Sequence, residues 1–476
     1  MRRITTKVLV VGGGPGGYVA AIRCGQLGLD TVLVEKSRLG GTCLIRGCIP
    51  SKAIIHAASR YAEMMEAVAP GGHLGIHLTQ APSIDFLATR SWKDAIVDQL
   101  SGGVAGLLKR ADVRVVEGRA RFTDAKTCVV ACAEPVAITA EHVILATGSV
   151  PVELPFLPFG RRVINSTEAL SLAAVPNKLV VVGAGYIGME LGIAFSKLGA
   201  KVSIVELQDR ILPLYDRKLV EPVHRWMQAR QLDLHLNARA RGMSETGDGL
   251  VVDKADGATV ELQADHILVT VGRRPLTQGW GLEEMALTMN GPFVQVDSCC
   301  RTAMKNVWAI GDLVGEPMLA HKASAQGEMV AEIIAGRRRH FDPVAIAAVC
   351  FTEPEIVSVG LGPDDPGAAD AIISSFPFAA NGRALSMNAA EGGGFVRIVA
   401  RKDDHRILGI QAVGQHVSEL SGEFAHAVEM GALLEDVAGT IHVHPTLSEA
   451  FHEAALDGLG HAIHKASTRD RNLGAA

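Results

Sequence analysis

The sequence predicts an α/β chain built on two copies of one strand, turn, helix and strand unit, followed by a carboxy-terminal α+β domain. Three observations predict it. Val10-Val-Gly-Gly-Gly-Pro-Gly-Gly17 is echoed by Val181-Val-Gly-Ala-Gly-Tyr-Ile-Gly188, an offset of 171 residues. The same offset carries Leu27-Gly28 onto Leu198-Gly199 and Glu35 onto Glu206, so a whole unit repeats and not merely a turn. After about residue 345 the glycine turns stop, and strand-like apolar runs give way to helical ones.

Composition bounds the possibilities. A chain of 476 residues has room for roughly three domains of about 150 residues. Its 48% apolar and 20% charged residues describe an ordinary globular protein. A net charge of −5 without a sustained basic run argues against nucleic acid or an anionic membrane as the main ligand. Arg337-Arg338-Arg339-His340 reads as a solvated loop. No stretch of about 18 apolar residues occurs, so no membrane insertion is expected. The charged start Met1 to Lys7 leads through Val8 to Val11 straight into glycines, the pattern of a strand and not of a signal peptide. Eight cysteines, most without framework spacing, fit a reducing compartment, and the cytoplasm is expected.

In the first unit the strand Lys7 to Val11 feeds Gly12, Gly14 and Gly17, and the strand Thr31 to Val34 ends at Glu35. In the second, Lys178 to Val182 feeds Gly183, Gly185 and Gly188, and Val202 to Val205 ends at Glu206. The first glycine of each set permits the tight turn, the second admits a pyrophosphate to the backbone, and the third lets helix pack on strand. The helix N-terminus then offers N–H groups to phosphate, and the acid suits a ribose 2′-OH. Two Rossmann-like dinucleotide-binding domains follow. Glu206 would repel a 2′-phosphate, so NAD is preferred over NADP; Arg210 nearby is able to accommodate that phosphate, but the acid weighs more.

Between the two units, Gly40 to Lys52 carries Cys43 and Cys48. So short a loop is a poor structural staple, and a disulfide needs Cα atoms within about 4.4–6.8 Å. Gly47 and Pro50 would allow the backbone distortion. We read the pair as a redox-active disulfide; the alternatives are two core cysteines or half of a zinc site, whose ligand pairs lie about two to four residues apart.

The expected domains are 1–150, 151–275, 276–345 and 346–476. The last has strands over 348–351, 356–359, 394–400 and 407–413 and helices over 418–431, 433–439 and 446–456. His444 precedes Pro445, which disfavours helical geometry and presents the imidazole on an extended segment. Thiol exchange needs a base, because the thiolate is the nucleophile, and His serves near neutral pH. His442 shares its face in an extended chain and is a rival. At Glu449 the residues themselves offer a structural reading, since Thr446-Leu-Ser-Glu449 is a capping box that would start the helix with no catalytic purpose.

Gly40-Gly-Thr-Cys43 through Gly47-Cys-Ile-Pro-Ser-Lys52, Ala146-Thr147-Gly148-Ser149, Val182-Gly-Ala-Gly-Tyr-Ile-Gly-Met-Glu190, Val271-Gly-Arg-Arg-Pro275, Ala309-Ile-Gly-Asp312 and His444-Pro-Thr-Leu-Ser-Glu449 together resemble the flavin-dependent pyridine nucleotide disulfide oxidoreductases, nearly end to end. The resemblance implies FAD in the first fold, NAD in the second and a carboxy-terminal α+β dimerisation domain, hence a homodimer. It implies that Gly12, Gly14, Gly17 and Glu35 hold the adenosine half of FAD, that Thr42 and Lys52 lie near the flavin, that Thr147 and Gly148 close over the FAD pyrophosphate region, and that Asp312, ending the strand Val307 to Ile310, bonds the ribitol. Gly183, Gly185, Gly188, Glu206 and Gly272 fall to NAD.

Lys52 is implied to pair with Glu190, Cys43 to exchange with substrate, Cys48 to face the flavin, and His444 with Glu449 to reach the partner subunit's disulfide. The motifs are most similar to those of members that oxidise protein-bound dihydrolipoamide, whose partner is the lipoyl domain of an acyltransferase or a glycine cleavage carrier protein. Glutathione-type members usually prefer NADPH, against Glu206. Mercury-reducing members carry a further cysteine pair near the C-terminus, and here the last cysteine is Cys350. A non-catalytic redox-sensing protein on the same fold is the reading from another class; loss of a cysteine, of His444 or of a glycine would signal it. Ile45-Arg46 stands where many members carry Asn-Val. Arg46 either faces solvent or shifts the thiols. Residues 66–84 read as a variable surface connection, and 465–476 as a mobile tail.

Overall fold

The computed structural model describes residues 1–70, 72–390 and 392–466. They form two compact units, 1–176 with 268–342, and 177–267 with 343–466.

The first unit runs β1 (Arg2–Val11), α1 (Pro15–Gln26), β2 (Thr31–Glu35), α2 (Gly41–Arg46), α3 (Cys48–Glu66), α4 (Phe86–Arg110), β3 (Arg114–Glu117), β4 (Arg119–Phe122), β5 (Thr127–Ala131) and β6 (Val136–Leu145). Its sheet has the order β3-β2-β1-β6-β5-β4, parallel from β3 to β6 and antiparallel at β5 and β4. The later strand Val307–Ala309 lies parallel to β6, so residues far along the chain complete this sheet. Val8, Leu9 and Val10 are buried on both faces, which is why β1 reads as a continuous apolar run. That strand begins five residues before the expected Lys7, because Arg2 to Thr6 pair with β6 while exposing alternate polar side chains.

Gly12, at φ +105°, ends β1; a Cβ there would sit 2.2 Å from the Ala146 carbonyl oxygen. A Cβ at Gly17 would sit 1.8 Å from the Gly12 oxygen. Backbone therefore meets backbone where α1 leaves the sheet.

In the second unit Lys178–Val182 is flanked in parallel by Lys201–Val205, with Asp233–His235 beyond it. Its carboxy-terminal part is a five-stranded antiparallel sheet in the order Ala348–Cys350, Glu355–Gly360, Ile407–Gly414, Phe395–Ala400, Ile372–Pro377. Phe376 and Phe378 lie in the core under the helices Ser421–Glu429 and Glu449–Leu459, where the Phe424 and Phe451 rings meet edge to face at 5.1 Å.

The edge strand Ile372–Pro377 is absent from the sequence reading, since Ser374 and Ser375 interrupt its apolar pattern. The helix expected over 446–456 spans Glu449–Leu459, and the one expected over 418–431 is a 3₁₀ turn followed by Ser421–Glu429. The Arg337 to His340 run is exposed but anchored: Arg337 and Arg339, with Arg23, converge on the buried Glu332 at 2.9, 2.7 and 2.5 Å. Of the expected tail, Lys465 donates to the Ser375 carbonyl and to Asp457, and residues 467–476 lie outside the described residues. Among the described residues no helix is long and apolar enough to cross a membrane.

Gly17→Ala should lower unfolding free energy by about 2–3 kcal/mol, since neither backbone can yield. Gly103→Ala, in the interior of α4 with nothing within 4 Å of its Cβ position, should raise it by about 0.5–1 kcal/mol. Denaturant unfolding of the two variants beside the parent checks both signs.

Candidate active site

Cys43 lies inside α2 and Cys48 is the first residue of α3; Gly47 separates the two helices. A Cβ at Gly47 would press on the Thr42 carbonyl at 2.8 Å, so only glycine lets the chain turn this tightly between the cysteines. The two side chains interact as thiols. That hydrogen bond, with burial, pushes the Cys43 thiol far above its ordinary value, while the Lys52 charge works against the rise. Cys48 opens a 19-residue helix, whose first turn presents N–H dipoles to an anion.

Neither residue is a core cysteine. Cys43 is half-buried and Cys48 exposed, whereas burial pushes the thiols of Cys24, Cys128 and Cys300 up to about 12. Among the described residues no group of three or more His, Cys, Asp or Glu side chains is arranged to hold a metal ion.

The two turns share their bonding as well as their sequence. Glu35 accepts the Gly13 N–H on Oε2 at 2.7 Å, and the Ser37 N–H and Oγ–H on Oε1 at 2.9 and 3.1 Å. Glu206 accepts the Ala184 N–H on Oε2 at 2.7 Å and the Gln208 N–H on Oε1 at 2.8 Å. Since a carboxylate has about four acceptor sites, each acid keeps capacity for a ligand hydroxyl.

Gly14 and Gly185 stand at the N-caps of α1 and of the helix Tyr186–Lys197, both with extended backbone. A Cβ at Gly185 would meet nothing within 4 Å, and one at Gly14 only the Gly41 Cα at 3.8 Å. These are open cradles at helix N-termini, a shape and polarity that fit a dinucleotide pyrophosphate. Gly188 is buried one turn further on, as helix packing requires. Gly41 cannot carry a Cβ, which would fall 2.4 Å from the Gly14 Cα, so the helix bearing Thr42 and Cys43 starts against the first cradle.

Thr147, Gly148, Gly272 and Asp312 come together around Ser149. Thr147 Oγ1 donates to the Leu276 carbonyl at 3.0 Å, and the Leu276 N–H donates to Gly148 at 2.8 Å. Ser149 Oγ donates to Asp312 Oδ2 at 2.5 Å, while Arg273 Nε donates to Ser149 Oγ at 2.8 Å and its Nη2 to the Ser149 carbonyl at 2.8 Å. Gly272, at φ +125°, accepts from the Val152 N–H. Asp312 caps no helix; it sits in a 3₁₀ turn ahead of Ala320–Ile334, whose cap is Leu319. Ser149 and Arg273 lie inside motifs the sequence reading quoted without assigning them a task.

Lys52 follows Cys48 by one turn of α3 in the first unit. Glu190, in the second, is only 4% exposed and accepts the Phe351 N–H at 3.0 Å.

At the other end of the chain His444 Nδ1 lies 2.9 Å from Glu449 Oε1, and the imidazole is 78% exposed. A carboxylate only accepts, so Nδ1 carries the proton in this contact, and in a neutral ring the lone pair falls to Nε2. Glu449 Oε2 meanwhile accepts the Thr446 N–H at 2.8 Å. The expected capping box is only half present: the helix starts at Glu449 itself, with Ser448 at its N-cap and no side-chain cap bond, and Thr446 Oγ1 is turned to the Val443 carbonyl at 2.7 Å. Burial works against ionisation of this carboxyl, but the Thr446 N–H and the His444 ring outweigh it and hold it below the usual range. His442 is spent: Nδ1 meets the Thr440 carbonyl at 2.9 Å, Nε2 meets Glu423 at 3.2 Å, and the ring stacks on His452 at 5.0 Å.

Residues 6–327 match the family model for pyridine nucleotide-disulphide oxidoreductase, and residues 346–455 match that for the dimerisation domain of the same group. The chain is 57% identical over 465 residues to a dihydrolipoyl dehydrogenase of Pseudomonas aeruginosa, covering 97% of this chain and 99% of that one. It is 46% identical to a dihydrolipoyl dehydrogenase of Geobacillus stearothermophilus, with 97% and 98% covered. The crystal structure of LpdA from Mycobacterium tuberculosis superposes with a TM-score of 0.86 at 30% identity, over 96% of this chain and 99% of that one. With its paired nucleotide turns, its cysteines and its carboxy-terminal domain all in the matched regions, the chain belongs to the pyridine nucleotide-disulphide oxidoreductase family.

Proposed function

We propose that this chain oxidises dihydrolipoamide with NAD⁺ as final acceptor, as a homodimer holding FAD in the first turn and NAD in the second. Its substrate is presented by the lipoyl domain of an acyltransferase or by a glycine cleavage carrier protein. The observation that carries the reading is the interaction of the Cys43 and Cys48 thiols at the start of α3, directly beside an open dinucleotide cradle. The relatives' printed activity agrees with it.

FAD, when bound, supplies the two-electron link between the cysteines and NAD⁺. The residues supply the rest. Starting from the disulfide, His444 Nε2 takes the proton of one substrate thiol, and the thiolate attacks Cys43 Sγ. The Cys43–Cys48 bond breaks, and Cys48 leaves with the electron pair as a thiolate. The second substrate thiol then attacks the substrate sulfur joined to Cys43; lipoamide closes its ring, and Cys43 leaves and takes up the proton that this thiol gives up, so that the two substrate protons rest on His444 and Cys43. The two electrons now held by the dithiol pass on to NAD⁺ as the disulfide re-forms.

The exposed His444 ring suits completion of the site of a second copy, in keeping with the dimerisation match. Glu449 fixes the ring and stabilises its charged form. Glu206 favours NAD over NADP. Arg210 Nη2 donates to the Pro213 carbonyl at 2.9 Å. The buried thiols of Cys24, Cys128 and Cys300 suit a reducing compartment, which we take to be the cytoplasm.

The reading is tested by anaerobic titration of the purified flavoprotein with dihydrolipoamide, then with NAD⁺ or NADP⁺. A long-wavelength absorbance band that NAD⁺ alone discharges is expected; reduction by NADPH and reoxidation by glutathione disulfide would move the chain to another reductase class. His444→Gln should cut dihydrolipoamide oxidation by about 10²–10³, with NADH-dependent reduction of an artificial dye retained. Gly185→Ala should fold normally, yet raise the KM for NAD⁺ about tenfold by filling the cradle; steady-state kinetics and flavin content decide this.

The Glu449 carboxyl has its folded pKa below the unfolded value of about 4.3. Its stabilisation is therefore complete above that pH and is lost as pH falls through the folded value. The melting-temperature gap between the parent and Glu449→Gln should shrink between pH 7 and pH 3.

A further inference from the structure

We infer that Arg46, by which this chain departs from its family's usual residues between the two cysteines, is a flavin-site residue whose guanidinium donates to the adenosine half of bound FAD. The inference rests on the reading of the first turn as the FAD site.

Arg46 is the last residue of α2, and its Nη2 donates to Ser37 Oγ at 3.2 Å. Ser37 Oγ donates in turn to Glu35 Oε1 at 3.1 Å, and the other oxygen of Glu35 receives the Gly13 N–H at 2.7 Å. A line of hydrogen bonds thus joins the helix of Cys43 to the dinucleotide turn. It runs through the acid whose position at the end of β2 assigns it to a ribose hydroxyl. Arg46 reaches the ribose end of the cradle, not the thiols.

The second observation is that Arg46 Nε is shut off from solvent and has no hydrogen-bond partner. A buried N–H with no acceptor is costly and rare in folded proteins, and more so on a cation that cannot lose its proton. An acceptor is therefore missing beside Ser37 and Glu35. A dinucleotide lying along this turn brings ribose and phosphate oxygens to that place, with negative charge to match the guanidinium. Neither earlier reading of Arg46 accounts for this. A harmless solvent-facing side chain would not bury Nε, and the cation that acts on the Cys43 thiol is Lys52.

The test measures FAD affinity and not turnover alone. Flavin release from the holoenzyme on heating, and the FAD Kd on reconstitution, are compared for the parent, Arg46→Val, Arg46→Lys and Ser37→Ala. Arg46→Val should bind FAD about tenfold more weakly and release it at lower temperature. Arg46→Lys should not restore binding, because it keeps the charge but lacks the fork of donors. Ser37→Ala should lose affinity too, and the double variant should lose less than the sum, as expected for one connected line. ADP, which carries only the adenosine half, should weaken by the same factor as a competitor of reconstitution.

Parental FAD and ADP affinities in Arg46→Val would overturn the inference. So would full restoration by lysine, or an effect confined to the dithiol potential. Should Arg46→Val not fold, the lysine and Ser37 variants still decide. Dihydrolipoamide turnover of the parent, measured on the same preparation, tests the functional reading separately: an active parent with unchanged Arg46→Val affinity sinks the inference alone.

Discussion

Backbone pressed on backbone at the end of β1 is the constraint from which the first unit is laid out. Gly12 meets Ala146, Gly17 meets Gly12, and Gly41 meets Gly14, each at a distance that excludes any Cβ. The first two contacts set α1 on the sheet and leave its N-terminal N–H groups open. The third brings α2, and hence Cys43, to the same point. Redox chemistry beside a nucleotide is thus a matter of packing before it is one of reactivity. Gly47 extends the logic by letting α3 start immediately after α2, which places Cys48 at a helix N-terminus.

The carboxy-terminal end shows the opposite economy, with one side chain doing two jobs. Glu449 ties down the Thr446 N–H with one oxygen and the His444 ring with the other. The local fold around Pro445 and the imidazole's tautomer are therefore set by the same group. His442 lies under this segment, stacked on His452 and bonded to Glu423, and holds the strand of chain from which His444 projects.

Much of this was legible in the sequence because it depends on residue types that have few other uses at such spacings. Glycines at fixed steps after an apolar run, an acid at the end of the next strand, two cysteines around a Gly, and His-Pro before a helix each carry a geometric requirement. What was not legible depends on partners distant in sequence. The edge strand Ile372–Pro377 is defined by its pairing with Phe395–Ala400, not by its own pattern. The anchoring of the arginine run by Glu332 and the clustering of Arg273, Ser149 and Asp312 join segments that no local period connects. The different surroundings of His442 and His444 also needed coordinates, since the two residues are identical in type and parity.

The duplicated clasp between strand-end acid and turn has a consequence for coenzyme engineering. Glu206, to which we assign discrimination against a 2′-phosphate, is also the acceptor that pins the Ala184 N–H in the turn. Selectivity and scaffold are written in the same carboxylate. Exchanging that acid to admit NADP would also untie the loop that must receive the pyrophosphate, so a change of preference is better sought in the flanking positions Leu207 to Arg210, where the two copies of the unit already differ from Lys36 to Leu39.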